Sequence, residues 1–148
     1  IDEIKIECRR IISESKKKNI GLIAIDSYNI INSQDTDNYQ NKKKNIIIDL
    51  KLLAEELDVP ILVTGPISGE VENRANPRPK LSDIGETDDL EKYSDIILML
   101  YRDEYYDPNT VDRGIAEIII SKNKNGPLGT VKMLFEPQFG RYRNLVKK

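Results

Sequence analysis

The stretch Asn19 to Asp26, NIGLIAID, decides how the rest of the chain is read, because seven of its eight residues are uncharged and it closes on a single carboxylate. Continuous apolar character over this length predicts a strand buried on both faces of a sheet, with helices to either side. Asp26, at the carboxyl end of that strand, stands where open α/β sheets take their ligands. It reads in two ways: as the cap on the strand's exit, or as the carboxylate that holds a magnesium water shell in nucleotide-binding α/β domains.

Toward the amino end, Ile4, Cys8, Ile11 and Ile12 recur at helical spacing in DEIKIECRRIISESKKK (2–18), which predicts an amphipathic helix leading into the strand. Lys16 to Lys18 fall in its last turn, where cations offset the helix dipole; a phosphate contact is the alternative. Toward the carboxyl end, SYNIINSQDTDNYQNKKK (27–44) reads as a polar surface loop. Ile46, Leu50, Leu53, Ala54 and Leu57 then share one helical face, Asp58 ends the pattern, and Pro60 opens the apolar run that follows. Strand, helix, strand is a crossover unit, so this pair should be parallel and right-handed.

Residues 65–94 hold three prolines and many charges without sustained periodicity, which predicts a long loop with a short helix at Asp88 to Tyr93. SDIILMLYRDEYYD (94–107) predicts a third buried strand running into a polar and aromatic cluster. In GIAEIIISKNKNGPLGTVKMLFE (114–136), two strand-like runs joined by KNKNGPLG predict a hairpin at the sheet edge. The basic tail RYRNLVKK (141–148) reads as a solvated end.

Composition bounds the rest. A chain of 148 residues suits one domain, 1–148, with a real core. A net charge of −2 excludes a global basic field, so any nucleic-acid contact must be local. One cysteine, Cys8, excludes an internal disulfide, and the lack of histidine excludes His-dependent triads and the usual zinc sites. No apolar run has the length of a membrane span, and a cytoplasmic protein is expected. Residue 1 is Ile rather than Met, as expected of a piece of a longer chain.

YRDEYY (101–106), AEIII (116–120) and KNKNGPLGTV (122–131), in that order, resemble the C-terminal motor domain of the bacterial replicative DNA helicases, the DnaB family. LAEELDVPILV (53–63) and RPKLSDI (78–84) extend the resemblance, and GLIAID (21–26) resembles the family's Walker B strand. The resemblance implies an α/β, RecA-like fold of the P-loop NTPase type: a mostly parallel sheet with flanking helices and a C-terminal β-hairpin, here lacking the Walker A unit. It implies ATP and Mg2+ as cofactors, hexameric rings and movement along single-stranded DNA; a replicative helicase or loader is the alternative partner to the ring.

Carried over position by position, Asp26 matches the Walker B Asp, and Lys122 and Lys124 match the hairpin Lys-x-Arg that reaches a neighbour's nucleotide. Arg74 and Glu86 are the candidates for DNA contact. Other positions depart. Pro66 stands where a phosphate-sensing Gln is usual and has no side-chain donor. Gly69 and Gly85 replace arginines, and Asp88 replaces a glycine in the loop that faces DNA, where its charge would repel the backbone. Four such changes favour a degenerate relative over a fragment of a working helicase. A module that binds a helicase or loader, and another RecA-like ATPase of DNA repair, are the alternatives.

Overall fold

A computed structural model describes residues 1–15, 20–32, 39–84 and 88–145. They fall into two compact units, Ile1–Pro66 with Glu86–Tyr93, and Ile67–Gly85 with Ser94–Lys148.

The first unit is built on the predicted crossover. β1 (Ile23–Ile25) and β2 (Ile61–Val63) pair in parallel, Ile23 against Ile61 and Ile25 against Val63, and α2 (Tyr39–Leu57) connects them. Apolar residues at helical spacing give α2 its inward face: Ile46, Ile47, Leu50 and Leu53 are buried, Leu53 with only 1% of its surface exposed. The helix stops because Asp58 turns left-handed, at φ 51, and the Val59 amide then donates back to the Ala54 carbonyl at 3.2 Å. Aspartate tolerates that conformation better than most side chains. Pro60 lacks an amide, but its carbonyl accepts from the Ile23 amide at 3.0 Å, so the ladder starts without a missing bond. α1 (Asp2–Glu14) is tied to α2 by Lys5 to Asp49 at 2.9 Å and by the Arg9 fork on Glu56, both bonds at 2.7 Å. α3 (Asp88–Tyr93) forms where the sequence predicts it.

β1 departs from the expectation of burial on both faces. Ile23 and Ile25 are half-buried, while Leu22 and Ala24 are exposed, and Leu62 repeats the pattern on β2. Among the described residues each of these strands has one ladder neighbour, and the face that carries Ala24 and Leu62 is open. Lys16 to Lys18 and residues 33–38 of the polar loop lie outside the described residues.

The second unit is a four-stranded antiparallel sheet in the order β3 (Ile96–Tyr101), β4 (Ile115–Asn123), β5 (Gly129–Glu136), β6 (Arg141–Asn144). The parallel ladder expected of most of the sheet is therefore, among the described residues, confined to β1 and β2. Only that pair has a long crossover helix between its strands; β3 and β4 are joined through the single turn α4 (Asp103–Tyr106), and short connections return a strand antiparallel. The predicted hairpin is β4–β5, but it lies inside the sheet. β6 takes the edge, so the basic tail is a strand over Arg141–Asn144, with its residues exposed to solvent. The reversal that makes β6 possible is the turn Pro137–Phe139 closed by Gly140 at φ 57, a conformation that favours glycine.

β3 is also less buried than expected. Met99 and Tyr101 are buried, whereas Ile96, Leu98 and Leu100 alternate with them and are exposed, as an antiparallel sheet with one open face allows. The segment expected as a loop contributes two short 3-10 turns, Gly69–Asn73 and Leu81–Ile84, joined by the Ser68 amide donating to the Asp83 carbonyl at 2.7 Å.

Truncation of the most deeply buried α2 side chain, Leu53→Ala, is expected to lower stability by about 2–5 kcal/mol through the cavity it leaves. A urea unfolding series with an unchanged slope and a lower midpoint would measure it.

Candidate functional site

Because β1 and β2 run parallel, both carboxyl ends emerge at the same edge. Asp26 follows β1 and Thr64 follows β2, and the Thr64 hydroxyl donates to Asp26 Oδ1. The backbone fixes the pair: the Thr64 amide donates to the Ile25 carbonyl at 3.0 Å, and the Tyr28 amide donates to the Thr64 carbonyl at 3.1 Å. Asp26 is exposed, and the Ser27 hydroxyl donates to Asn29 Oδ1 beside it. The Tyr28 ring, 5% exposed, lies directly over Gly65; a Cβ on Gly65 would stand 2.4 Å from Tyr28 Cε1. Only glycine fits under that ring. At Gly69, by contrast, an added Cβ meets nothing within 4 Å, so the backbone does not require glycine there.

The donor set at the strand end suits a hydrated cation better than a directly ligated one. Magnesium keeps several waters and accepts one or two carboxylates, which a single exposed Asp26 provides. Among the described residues no group of three or more His, Cys, Asp and Glu side chains could hold a metal directly.

The other candidates lie in the second unit, apart from Glu86 and Gly85, which are outside the described residues. Lys122 is on β4, where its backbone pairs with Ile97 of β3. Lys124 follows β4, and its ammonium pairs with Asp95 at 2.7 Å. The Arg74 fork is taken up by Asp83, with bonds of 2.9 and 2.8 Å, and its second nitrogen also donates to the Arg78 carbonyl at 3.1 Å. A bidentate pair of this kind is directional and strong for its size.

A second polar cluster escaped the reading of the sequence. Glu117 in β4 is 3% exposed, pairs with the Arg78 guanidinium, and has Lys132 of β5 at 3.6 Å. Lys132 also pairs with Asp112 at 2.9 Å, and Arg78 sits 4.9 Å from the Tyr101 ring centroid. Beside it, Thr110 and Tyr101 both donate hydroxyls to Asp103, and those bonds hold the Asp103 carboxyl below its usual range. Burial first, and then the Asp103 carboxylate, push the Tyr101 hydroxyl up to about 12. A signal was present: a Glu inside the apolar run AEIII must find a cation once the strand is buried.

Two outcomes are expected here. Gly65→Ala, which drives a methyl into the Tyr28 ring, should lower stability by about 1–3 kcal/mol, and Tyr28→Leu in the same chain should recover part of the loss in thermal unfolding. Asp103 has its folded pKa depressed, so the unfolded chain binds its proton first; the stability it contributes is full above the unfolded value near 3.8 and fades as pH falls through the lower folded value. Asp103→Asn should flatten that acid limb in unfolding curves collected from pH 6 downward.

Comparison with known proteins accounts for both the fold and the quoted motifs. The family model for the DnaB-like helicase C terminal domain matches residues 1–144. The replicative DNA helicase DnaC of Bacillus subtilis (strain 168) is 39% identical over 150 aligned positions, covering 100% of this chain and 32% of that protein. The replicative DNA helicase DnaB of Geobacillus stearothermophilus is 37% identical, with the same two coverages. The chain thus spans about a third of the length of the relatives it matches. Among solved structures, an ATPase domain superposes with a TM-score of 0.93 at 36% identity, over 98% of this chain and 51% of that one. The structure of a DnaB-like replicative helicase and its interactions with primase gives 0.85 at 38% identity, over 93% and 34%. The expected RecA-like α/β class holds, and the chain belongs to the DnaB-like helicase C-terminal domain family.

Proposed function

We propose that residues 1–148 form the distal part of one DnaB-type motor domain that keeps the metal-facing carboxylate and has lost the groups that grip phosphate. The observation that carries this reading is the edge where β1 and β2 end. Asp26 is exposed there beside Thr64, and the chain then runs through Gly65 and Pro66, neither of which has a side-chain donor. In the intact family motor, Mg2+ would neutralise charge on ATP, and Asp26 would orient its water shell. No Gly-x-x-x-x-Gly-Lys-Ser/Thr run occurs in this chain, so nothing in it cradles a triphosphate.

Lys122 and Lys124 are the groups that could reach a neighbouring subunit's phosphate in a hexameric ring. The Asp95 partner of Lys124 counts against that lysine, and an ammonium lacks arginine's planar fork. DNA contact is weak in this reading. The Arg74 fork is spent on Asp83, and Glu86 and Asp88 bring negative charge toward a polyanion. A cytoplasmic protein that docks on a replicative helicase or its loader is the second reading, favoured by a fold retained while phosphate-facing residues changed.

The 148-residue chain is expected to hydrolyse ATP with Mg2+ no faster than its Asp26→Ala variant, and to bind single-stranded DNA more weakly than micromolar at physiological salt. Turnover above that control overturns the reading. Co-elution with a DnaB-type replicative helicase on a sizing column supports the docking alternative, and separate elution removes it.

A further inference from the structure

Thr64 deepens this picture, and its role rests on the reading of Asp26 as a cation-facing carboxylate. The parallel register sets Ile25 opposite Val63, so the next two residues, Asp26 and Thr64, come level at the end of the ladder. By strand alternation they share the face of Ala24 and Leu62, the exposed one. Thr64 is held through its amide by Ile25 and through its carbonyl by Tyr28. Its branched side chain has few rotamers to choose from, so a fixed backbone fixes the hydroxyl. That hydroxyl has one proton, and it goes to Asp26 Oδ1. Among the described residues Asp26 Oδ2 accepts no hydrogen bond.

We propose that Thr64 is a positioning residue: by donating to Oδ1 it locks the Asp26 carboxylate and leaves Oδ2 to the water shell of a hydrated divalent cation. The terminal torsion of an aspartate is otherwise broad, so an unheld carboxylate would sample many orientations. A donor that removes this freedom makes the oxygen that remains a better partner for bound water. Partners of this outer kind change metal affinity by about 10–100-fold when removed. The effect here belongs at the low end, because the contact to the metal runs through water.

The test follows Mn2+ by NMR on the 15N-labelled 148-residue chain, reading the paramagnetic broadening of the Ser27, Thr64 and Gly65 amides. Four proteins are compared: the unaltered chain, Asp26→Asn, Thr64→Val and Thr64→Ser. The proposal expects broadening in the unaltered chain, its loss in Asp26→Asn, a need for about tenfold more Mn2+ in Thr64→Val, and recovery in Thr64→Ser. If Asp26→Asn loses the effect but Thr64→Val matches the unaltered chain, the positioning role is refuted while the reading of Asp26 stands. If Asp26→Asn behaves like the unaltered chain, that reading falls and the proposal with it. If Thr64→Ser is as weak as Thr64→Val and both shift the spectrum across the first unit, Thr64 is structural only and the proposal is wrong.

Discussion

The parallel pairing of β1 with β2 is the constraint on which the candidate site depends. Parallel strands cannot be joined by a tight turn, so a long helix must carry the chain back, and α2 does so. Its buried face supplies the apolar contact that a two-stranded ladder cannot supply alone. The result is directional: two carboxyl ends at one edge, Asp26 and Thr64 abreast, and Tyr28 folded over Gly65. An antiparallel pair would have put these residues at opposite ends.

How much could be read in the amino acids depends on what each signal measures. The crossover was legible because it is written twice, in the period of Ile46, Leu50, Leu53 and Leu57 and in the apolar runs at each end. α3 and the β4–β5 hairpin were legible for the same reason. β6 was not, because Arg141, Tyr142 and Arg143 are exposed edge residues whose strand state comes from pairing with β5 rather than from a buried face. The openness of β1 and β3 was hidden as well: an apolar run records that a face can be buried, not that a neighbour is present. At the candidate site, Asp26 announced itself by position. Thr64 did not, since a hydroxyl after a strand is common and its partner lies 38 residues away.

Gly65 and Gly69 differ in how firmly this fold holds them. Gly65 is enforced by the ring above it, so that position cannot be altered without moving Tyr28. Gly69 is not enforced, and the space around it would take a longer side chain. Glycine is therefore required by packing at one position and not a few residues later. A similar distinction separates Arg74, engaged by Asp83 through two bonds, from Lys124, which meets Asp95 through a single ammonium contact on the surface.

Glu117 has a consequence beyond its own ion pair. Side chains on a strand alternate between faces, so sliding β4 by one residue against its neighbours would exchange the face of every group it carries. In the observed register Ile118 stands opposite Leu100 and Val131, and Glu117 turns to the other face, where Arg78 and Lys132 meet it. A slipped alignment would carry the carboxylate to the open face, where Leu100 and Val131 are exposed, and part it from Arg78 and Lys132. The alignment of β4 thus decides whether this buried charge meets its two cations.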